Sequence, residues 1–457
     1  SGGRLRALEP RRPMMWRNLS FGLLSRLIQI IVSFFTIGMA MKAIGLDAWW
    51  IVATALSVIT LLLMVQAAST AGLSRLLIEY QDDAASFSAL YVTALTAFLG
   101  LGLVAFALGG LFFLYSTTPI RDELLVSLGG LIFTLIAIPK YAALYAGDRL
   151  DLHFKVMITT ALLKVLVIYL LYAGDLLGTF TFCAVLALEQ MMIYLLVSVQ
   201  FTRVVEADKR RRAGRWFHPE AFRKAFAFNA WISVNSLSQS LIITAPQILL
   251  HGALGSRSLS LYGVFLQLHN FSRGFMVSLN ASLVTRSSLD YDGDTDAFHR
   301  MLGKSAAGLA VISVVGFWVF LAVGDQALHL WLGIDFSEKN LFLMSMLLMT
   351  TLYASLSFVF GNLSVTSKRV KLPALTGLLI AVLAVVTLIV MEETGVRTLE
   401  HYAYSVAGFQ LVYVIARNVA TLQVLGDILS ATEKMKQLGI NVLALAAMIS
   451  GLAWRFI

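Results

Sequence analysis

The chain has 457 residues, 58% of them hydrophobic and only 13% charged, with a net charge of +9. A typical soluble domain carries about 25% charged residues, so a chain of this length cannot cover a water-facing surface with so few. That argues against a soluble enzyme, a disordered protein and a nucleic-acid binder alike. In a membrane protein the basic excess reflects loops on the cytoplasmic side. The single cysteine, Cys183, excludes an internal disulfide and a cysteine-cluster metal site. No cleavable leader is expected, since Ser1–Pro13 is polar and basic and the apolar stretch after it is too long for a signal sequence.

A membrane-crossing helix needs about 20 mostly apolar residues. Stretches of that kind are expected at 17–43, 48–70, 88–114, 123–147, 153–173, 177–201, 225–250, 259–284, 302–324, 340–365, 372–391 and 399–424. A thirteenth and weaker stretch, Gly439–Trp454, is either a span, an interfacial segment or a half-helix. With the N-terminus placed in the cytoplasm, 25 Lys and Arg fall in inner segments and 6 in outer ones, the asymmetry that sets orientation.

Span 1 carries Gly22, Arg26, Gln29, Ser33 and Thr36 at steps of 4, 3, 4 and 3, a single helical face. Arg26 lies about 14 Å from the cytoplasmic end at about 1.5 Å per residue. The turn Gly45–Trp50 leads to span 2, after which comes Arg75-Leu76-Leu77-Ile78-Glu79-Tyr80. Spans 5 and 6 bring Lys164 and Glu189, which either pair across neighbouring helices or serve a site. The loop Thr202–Lys224 holds Lys209-Arg210-Arg211-Arg212 and reads as a topology anchor near anionic headgroups.

Span 7 repeats the polar face of span 1 with Asn229, Ser233, Ser236, Ser240, Thr244 and Gln247, flanked by Asn235 and Gln239. On span 8, His269 and Arg273 are four apart, with Asn270 and Ser272 beside them. Arg273 is about 16 Å deep. Arg286-Ser287-Ser288-Leu289-Asp290-Tyr291 then repeats the Arg, acid and Tyr of the segment after span 2 at an offset of 211. Arg417 in span 12 is shallower, about 10 Å, and is expected to snorkel to the interface.

The repeat points to an all-α polytopic membrane protein with two pseudo-symmetric six-helix lobes. The expected divisions are an N-terminal lobe, 1–201; a basic linker, 202–224; a C-terminal lobe, 225–424; and a C-terminal hydrophobic segment, 425–457. Parallel repeats of this sort are a transporter device, with the substrate site between the halves. Charges at mid-membrane depth are costly and usually functional. Four bases (Arg26, Lys164, Arg273, Arg417) against one acid, Glu189, point to a wet cavity for an anion. The polar stripes on spans 1 and 7 are read as its walls, although such stripes also serve as interhelical glue. There is no catalytic constellation, metal-ligand spacing or nucleotide-binding loop, so no enzyme, metal or resident cofactor is expected.

Gly45-Leu46-Asp47-Ala48-Trp49-Trp50, Ala71-Gly72-Leu73-Ser74-Arg75-Leu76, and the segment from Gly255 to Tyr262-Gly263 resemble the Wzx-type oligosaccharide-lipid flippases. These belong to the multidrug/oligosaccharidyl-lipid/polysaccharide exporter (MOP) superfamily. The resemblance implies twelve helices in a MATE-like V shape, alternating access and a polyprenyl-pyrophosphate-linked oligosaccharide as substrate. It implies a multi-pass protein of the bacterial cytoplasmic membrane, working beside a polysaccharide polymerase and glycosyltransferases. Arg26 and Arg273 are then expected to bind the pyrophosphate, with Lys164 assisting. Gln29, Ser33, Asn229, Ser233, Asn235, Gln239, His269 and Asn270 would contact the sugar. Glu189 is the candidate for coupling to H+ or Na+. The alternatives are a drug/cation antiporter of the same fold and a membrane assembly partner that transports nothing.

Overall fold

The computed structural model describes residues 12–115, 120–147, 149–205, 217–250, 254–290, 295–367, 369–426 and 429–457. The basic run Lys209–Arg212 lies outside them, as do the side chains of residues 277–301, which include the second copy of the Arg–acid–Tyr repeat. Within the described residues the chain folds into fourteen α-helices, with no strand. The first six are α1 (Arg12–Ile44), α2 (Leu46–Glu79), α3 (Ala84–Tyr115), α4 (Arg121–Ala146), α5 (Leu150–Ala173) and α6 (Thr179–Val204). The others are α7 (Pro219–Leu249), α8 (Ser256–Asp290), α9 (Thr295–Leu332), α10 (Glu338–Ser355), α11 (Phe358–Thr366), α12 (Lys371–Glu393), α13 (Leu399–Val424) and α14 (Ala431–Phe456).

Packing repeats through the chain. In the first bundle α4 packs on α2, α3 and α6, and α5 packs on α1 and α6. In the second, α10 packs on α8, α9 and α13, and α12 packs on α7 and α13. Shifting each label of the first set to its counterpart reproduces the second. The crossings between bundles are reciprocal too: α1 meets α8 where α2 meets α7, α1 meets α9 where α3 meets α7, and α2 meets α8 across the middle. This is the pseudo-symmetric two-bundle architecture that the motif repeat implied.

Nine of the described helices are long and apolar enough to cross a bilayer. Those outside that set are α2, α7, α8 and the α10–α11 pair, which pack on one another in the middle of the molecule. A helix shielded from lipid by its neighbours tolerates polar residues, because other protein groups satisfy them. The outer helices show the converse. Leu101, Leu103, Leu108, Leu162, Leu166, Leu170, Val315, Val319, Leu379 and Leu383 are all exposed, an apolar belt that only hydrocarbon can cover.

Two elements differ from the sequence expectation. The tenth span breaks at Leu356–Ser357, where i→i+3 bonds (Leu356 N to Tyr353 O and Ser357 N to Ala354 O) replace the α pattern. The hydroxyls of Ser355 and Ser357 bond back to Thr351 O and Ala354 O, the local competition by which serine bends helices. The weak terminal stretch is a full helix of 26 residues, α14, about 39 Å long. Its start is set by Ser430, whose side chain and that of Glu433 form a reciprocal capping box. Gln437, Asn441, Ala444, Met448 and Gly451 are its buried residues, spaced as one helical face, and that face packs on α9 and α10.

Candidate substrate site

The bundles are joined most firmly at the end that carries the α1–α2 turn. The largest apolar cluster crosses between them there, through Ile37, Met41, Trp49 and Ala53 on one side and Ile242, Tyr262 and Phe265 on the other. Trp331 of α9 stacks on Phe34 of α1 at 4.7 Å and donates its indole N–H to Phe34 O at 2.6 Å. Gln247 of α7 donates to Trp50 O and to the Thr54 hydroxyl, at 3.3 and 3.2 Å.

At the opposite end the α2–α7 seam is closed. Asn229 packs on Gly72 of α2, and Ser233 Oγ lies 3.4 Å from Ser69 Oγ. The span 7 stripe is therefore divided. Asn229, Ser233 and Gln247 face α2 and join the bundles, whereas Ser240 turns to α8. Asn229 Oδ1 and Gln247 Oε1 have no hydrogen-bond partner though buried, so the seam is polar and incompletely satisfied.

Arg26 sits on the accessible half of α1, with exposed Leu24 and Leu27 beside it. Its Nη1 donates to Gln29 Oε1 at 3.3 Å, and Gln29 Nε2 donates to Ser25 Oγ at 3.0 Å. Ser33, further along, accepts the Thr36 hydroxyl on its carbonyl at 3.2 Å. Tyr145 and His153, at the α4–α5 connection, lie within electrostatic reach of Arg26. The His153 ring meets the edges of Tyr141 and Tyr145 at 4.6 and 5.5 Å, and its buried Nδ1 has no partner.

Arg273 of α8 is 9% exposed and donates from Nη1 to Ser240 Oγ at 3.1 Å, while its Nε is buried without a partner. One turn earlier, His269 Nδ1 is 2.9 Å from the Thr351 hydroxyl. Asn235 is buried, its carbonyl accepting from the Tyr413 hydroxyl at 3.2 Å; Gln239 is buried and Asn270 half-buried. Among the described residues no hydrogen bond joins Arg26 to Arg273, and no carboxylate pairs with either.

Lys164 and Glu189 meet each other. Nζ lies 3.0 Å from the carboxylate, with both side chains near one-eighth exposed. Each therefore has its charge answered across α5 and α6. Arg417, expected at the interface, is instead 7% exposed, over Tyr413 and against the α10–α11 break. Lys140 is likewise buried within α4, over the Tyr194 ring at 3.9 Å and donating to Ser198. The sequence held a signal for Arg417, since Gln410, Tyr413, Arg417 and Thr421 form a polar face at steps of 3, 4 and 4. Among the described residues no three His, Cys, Asp or Glu side chains are grouped to hold a metal.

No protein-family model matches the chain, and no curated protein matches it by sequence. Solved structures match it by fold. The MATE multidrug transporter DinF-BH, in complex with R6G, superposes with a TM-score of 0.67 at 17% identity, over 90% of this chain and 95% of that one. The lipid II flippase MurJ superposes at 0.64 and 11% identity, over 94% and 98%. A MOP-superfamily transporter from Pyrococcus furiosus with a binding pocket of reversed polarity superposes at 0.62 and 12%, over 91% and 95%. This chain is thus a polytopic helical membrane protein with the fold shared by these transporters.

Proposed function

We propose that this protein is an alternating-access flippase that carries a polyprenyl-pyrophosphate-linked oligosaccharide across the bacterial cytoplasmic membrane, with its N-terminus in the cytoplasm. The observation that carries the reading is Arg26: a guanidinium in the middle third of α1, exposed, bonded to the Gln29 amide and, among the described residues, paired with no acid. A charge in that place is costly unless an anion visits it. A pyrophosphate crossing about 30 Å of hydrocarbon has the complementary problem, and arginine offers paired donors suited to phosphate oxygens. Gln29 and Ser33 on the same face, with Gln239 of α7 and Asn270 of α8, are the proposed sugar contacts. The lipid tail stays in the bilayer beside the uncovered half of α1.

The likeness to MurJ, itself named a lipid II flippase, is consistent with this reading. The likeness to MATE multidrug transporters supports cation antiport equally at the level of fold. Charge separates the two. A cation site needs an unpaired acid, and Glu189 is held by Lys164. Flipping of a fluorescent polyprenyl-pyrophosphate oligosaccharide by proteoliposomes containing the purified chain is the expected result. Export of a cationic dye with no lipid flipping would establish the antiporter instead.

A further inference from the structure

The second bundle holds two buried arginines that the seam and the Arg26 face do not use. Arg417 donates from Nη1 to Ser357 Oγ at 3.3 Å, and its Nε is buried with no partner. Arg273 donates to Ser240 Oγ, and its Nε is likewise buried and unpartnered. Tyr413 links the two groups: Arg417 Cζ lies 5.9 Å from its ring centre, and its hydroxyl donates at 3.2 Å to Asn235 O on α7, the helix that also carries Ser240. Among the described residues no carboxylate pairs with either guanidinium.

The backbone adds to the imbalance. Ser357 immediately precedes α11, so Arg417 sits at a helix N-terminus, where unpaired N–H groups and the helix dipole already favour negative charge. Gly361, in the first turn of α11, makes room for it: a Cβ there would lie 2.7 Å from Arg417 Nη2. Two like charges and a positive helix end, enclosed within one bundle and each with a free donor, form half of a complex. The missing half is an anion that accepts several hydrogen bonds.

We propose that Arg273 and Arg417, with Ser240 and Ser357, form a phosphate-binding site at the α10–α11 break, walled by Tyr413. The break is then functional, since an uninterrupted helix would have no N-terminus beside Arg417. The occupant is a phosphate group, either free in solution or carried on a polyprenyl lipid. The site deepens the flippase reading by giving the headgroup an enclosed seat, yet its test does not depend on transport.

The test is equilibrium dialysis of the full-length protein in nanodiscs against radiolabelled inorganic pyrophosphate. Wild type is expected to bind saturably. Arg417→Gln should weaken binding at least ~10-fold, the scale of one charge-assisted hydrogen bond. Arg417→Lys should fall between the two, because it keeps the charge and loses the fork. Ser357→Ala removes no charge and should weaken binding several-fold, so the test survives if Arg417→Gln does not fold. Lys371→Gln, at the start of α12, controls for a generic loss of positive charge. Displacement of the label by polyprenyl phosphate in the nanodisc identifies a lipid headgroup, and displacement by soluble phosphate alone identifies a free anion. Absence of binding by wild type, or binding lost in Arg26→Gln and retained in Arg417→Gln, overturns the proposal. A transport defect confined to Arg26 variants would leave the flippase reading standing while this site fell.

Discussion

The charged residues inside this membrane protein are of two kinds. Lys164 and Glu189 answer each other at 3.0 Å, so removing either strands the other in a low-dielectric place. Lys164→Gln or Glu189→Gln alone should cost up to about 3–5 kcal/mol if the pair is dry, and less for what exposure remains. The double variant should recover much of that loss. Thermal midpoints of the three proteins check this, and a double-variant loss equal to the sum of the two single losses would show that the pair is not coupled. If Glu189 also couples transport to protons, Glu189→Gln should flatten the pH dependence of flipping; an unchanged pH profile removes that role. Arg26 differs in kind, because the bond it makes among the described residues is to the Gln29 amide. Arg26→Gln should lower flipping ~10- to 100-fold, the value of one or two charged hydrogen bonds, with little change in thermal midpoint. A fall in midpoint that matches the fall in transport would make Arg26 structural.

At the level of helices, small residues decide where the bundles touch. A Cβ at Gly263 of α8 would lie 2.4 Å from Ala53 Cβ of α2, and neither backbone can swing aside as a flexible side chain could. Gly263→Val should therefore open the end that carries the α1–α2 turn. Spin labels at Lys42→Cys and Arg257→Cys, in a Cys183→Ser background, should report a longer distance than without the valine; an unchanged distribution would refute the closure of this end. Helix α14 depends on a similar approach. A Cβ at Gly451 would lie 3.0 Å from the Trp318 ring of α9, whose indole N–H donates to Ala447 O at 3.3 Å. Since lipid offers no hydrophobic drive to hold two helices together, close packing and such bonds must do it. Gly451→Leu should raise hydrogen exchange across 431–456 while leaving α1–α6 protected; uniform protection would show that α14 is held elsewhere.

At the scale of the molecule, two bundles with the same packing pattern meet along a polar seam and an apolar end. Among the described residues the hydrogen bonds along the seam are few and partly unsatisfied. That suits a protein whose bundles exchange partners between two states. The proposed orientation makes the closed end periplasmic. An impermeant thiol reagent added to whole cells should then label a cysteine placed at Lys42, at the α1–α2 turn, and spare one placed at Lys434, at the start of α14. The reverse pattern would invert the proposed topology while leaving the fold as it is.

Sequence alone determined that the chain is a helical membrane protein and where most of its helices lie. Their length, apolar content and 3.6-residue period are local properties, and apolar stretches of about 20 residues satisfy their backbone in hydrocarbon as helices. It also pointed to the duplication, through Arg75 and Arg286 in matching places, and the packing of the two bundles repeats accordingly. What a helical face meets is not local. The span 7 stripe has the same spacing whether it lines water or grips α2, and only packing showed that Asn229 and Ser233 do the second. Depth along a helix likewise left Arg417 a route to the interface, until α10 and α11 closed over it. The break at Ser357 and the pairing of Lys164 with Glu189 arise from neighbours distant in the chain, and only the tertiary structure could decide them.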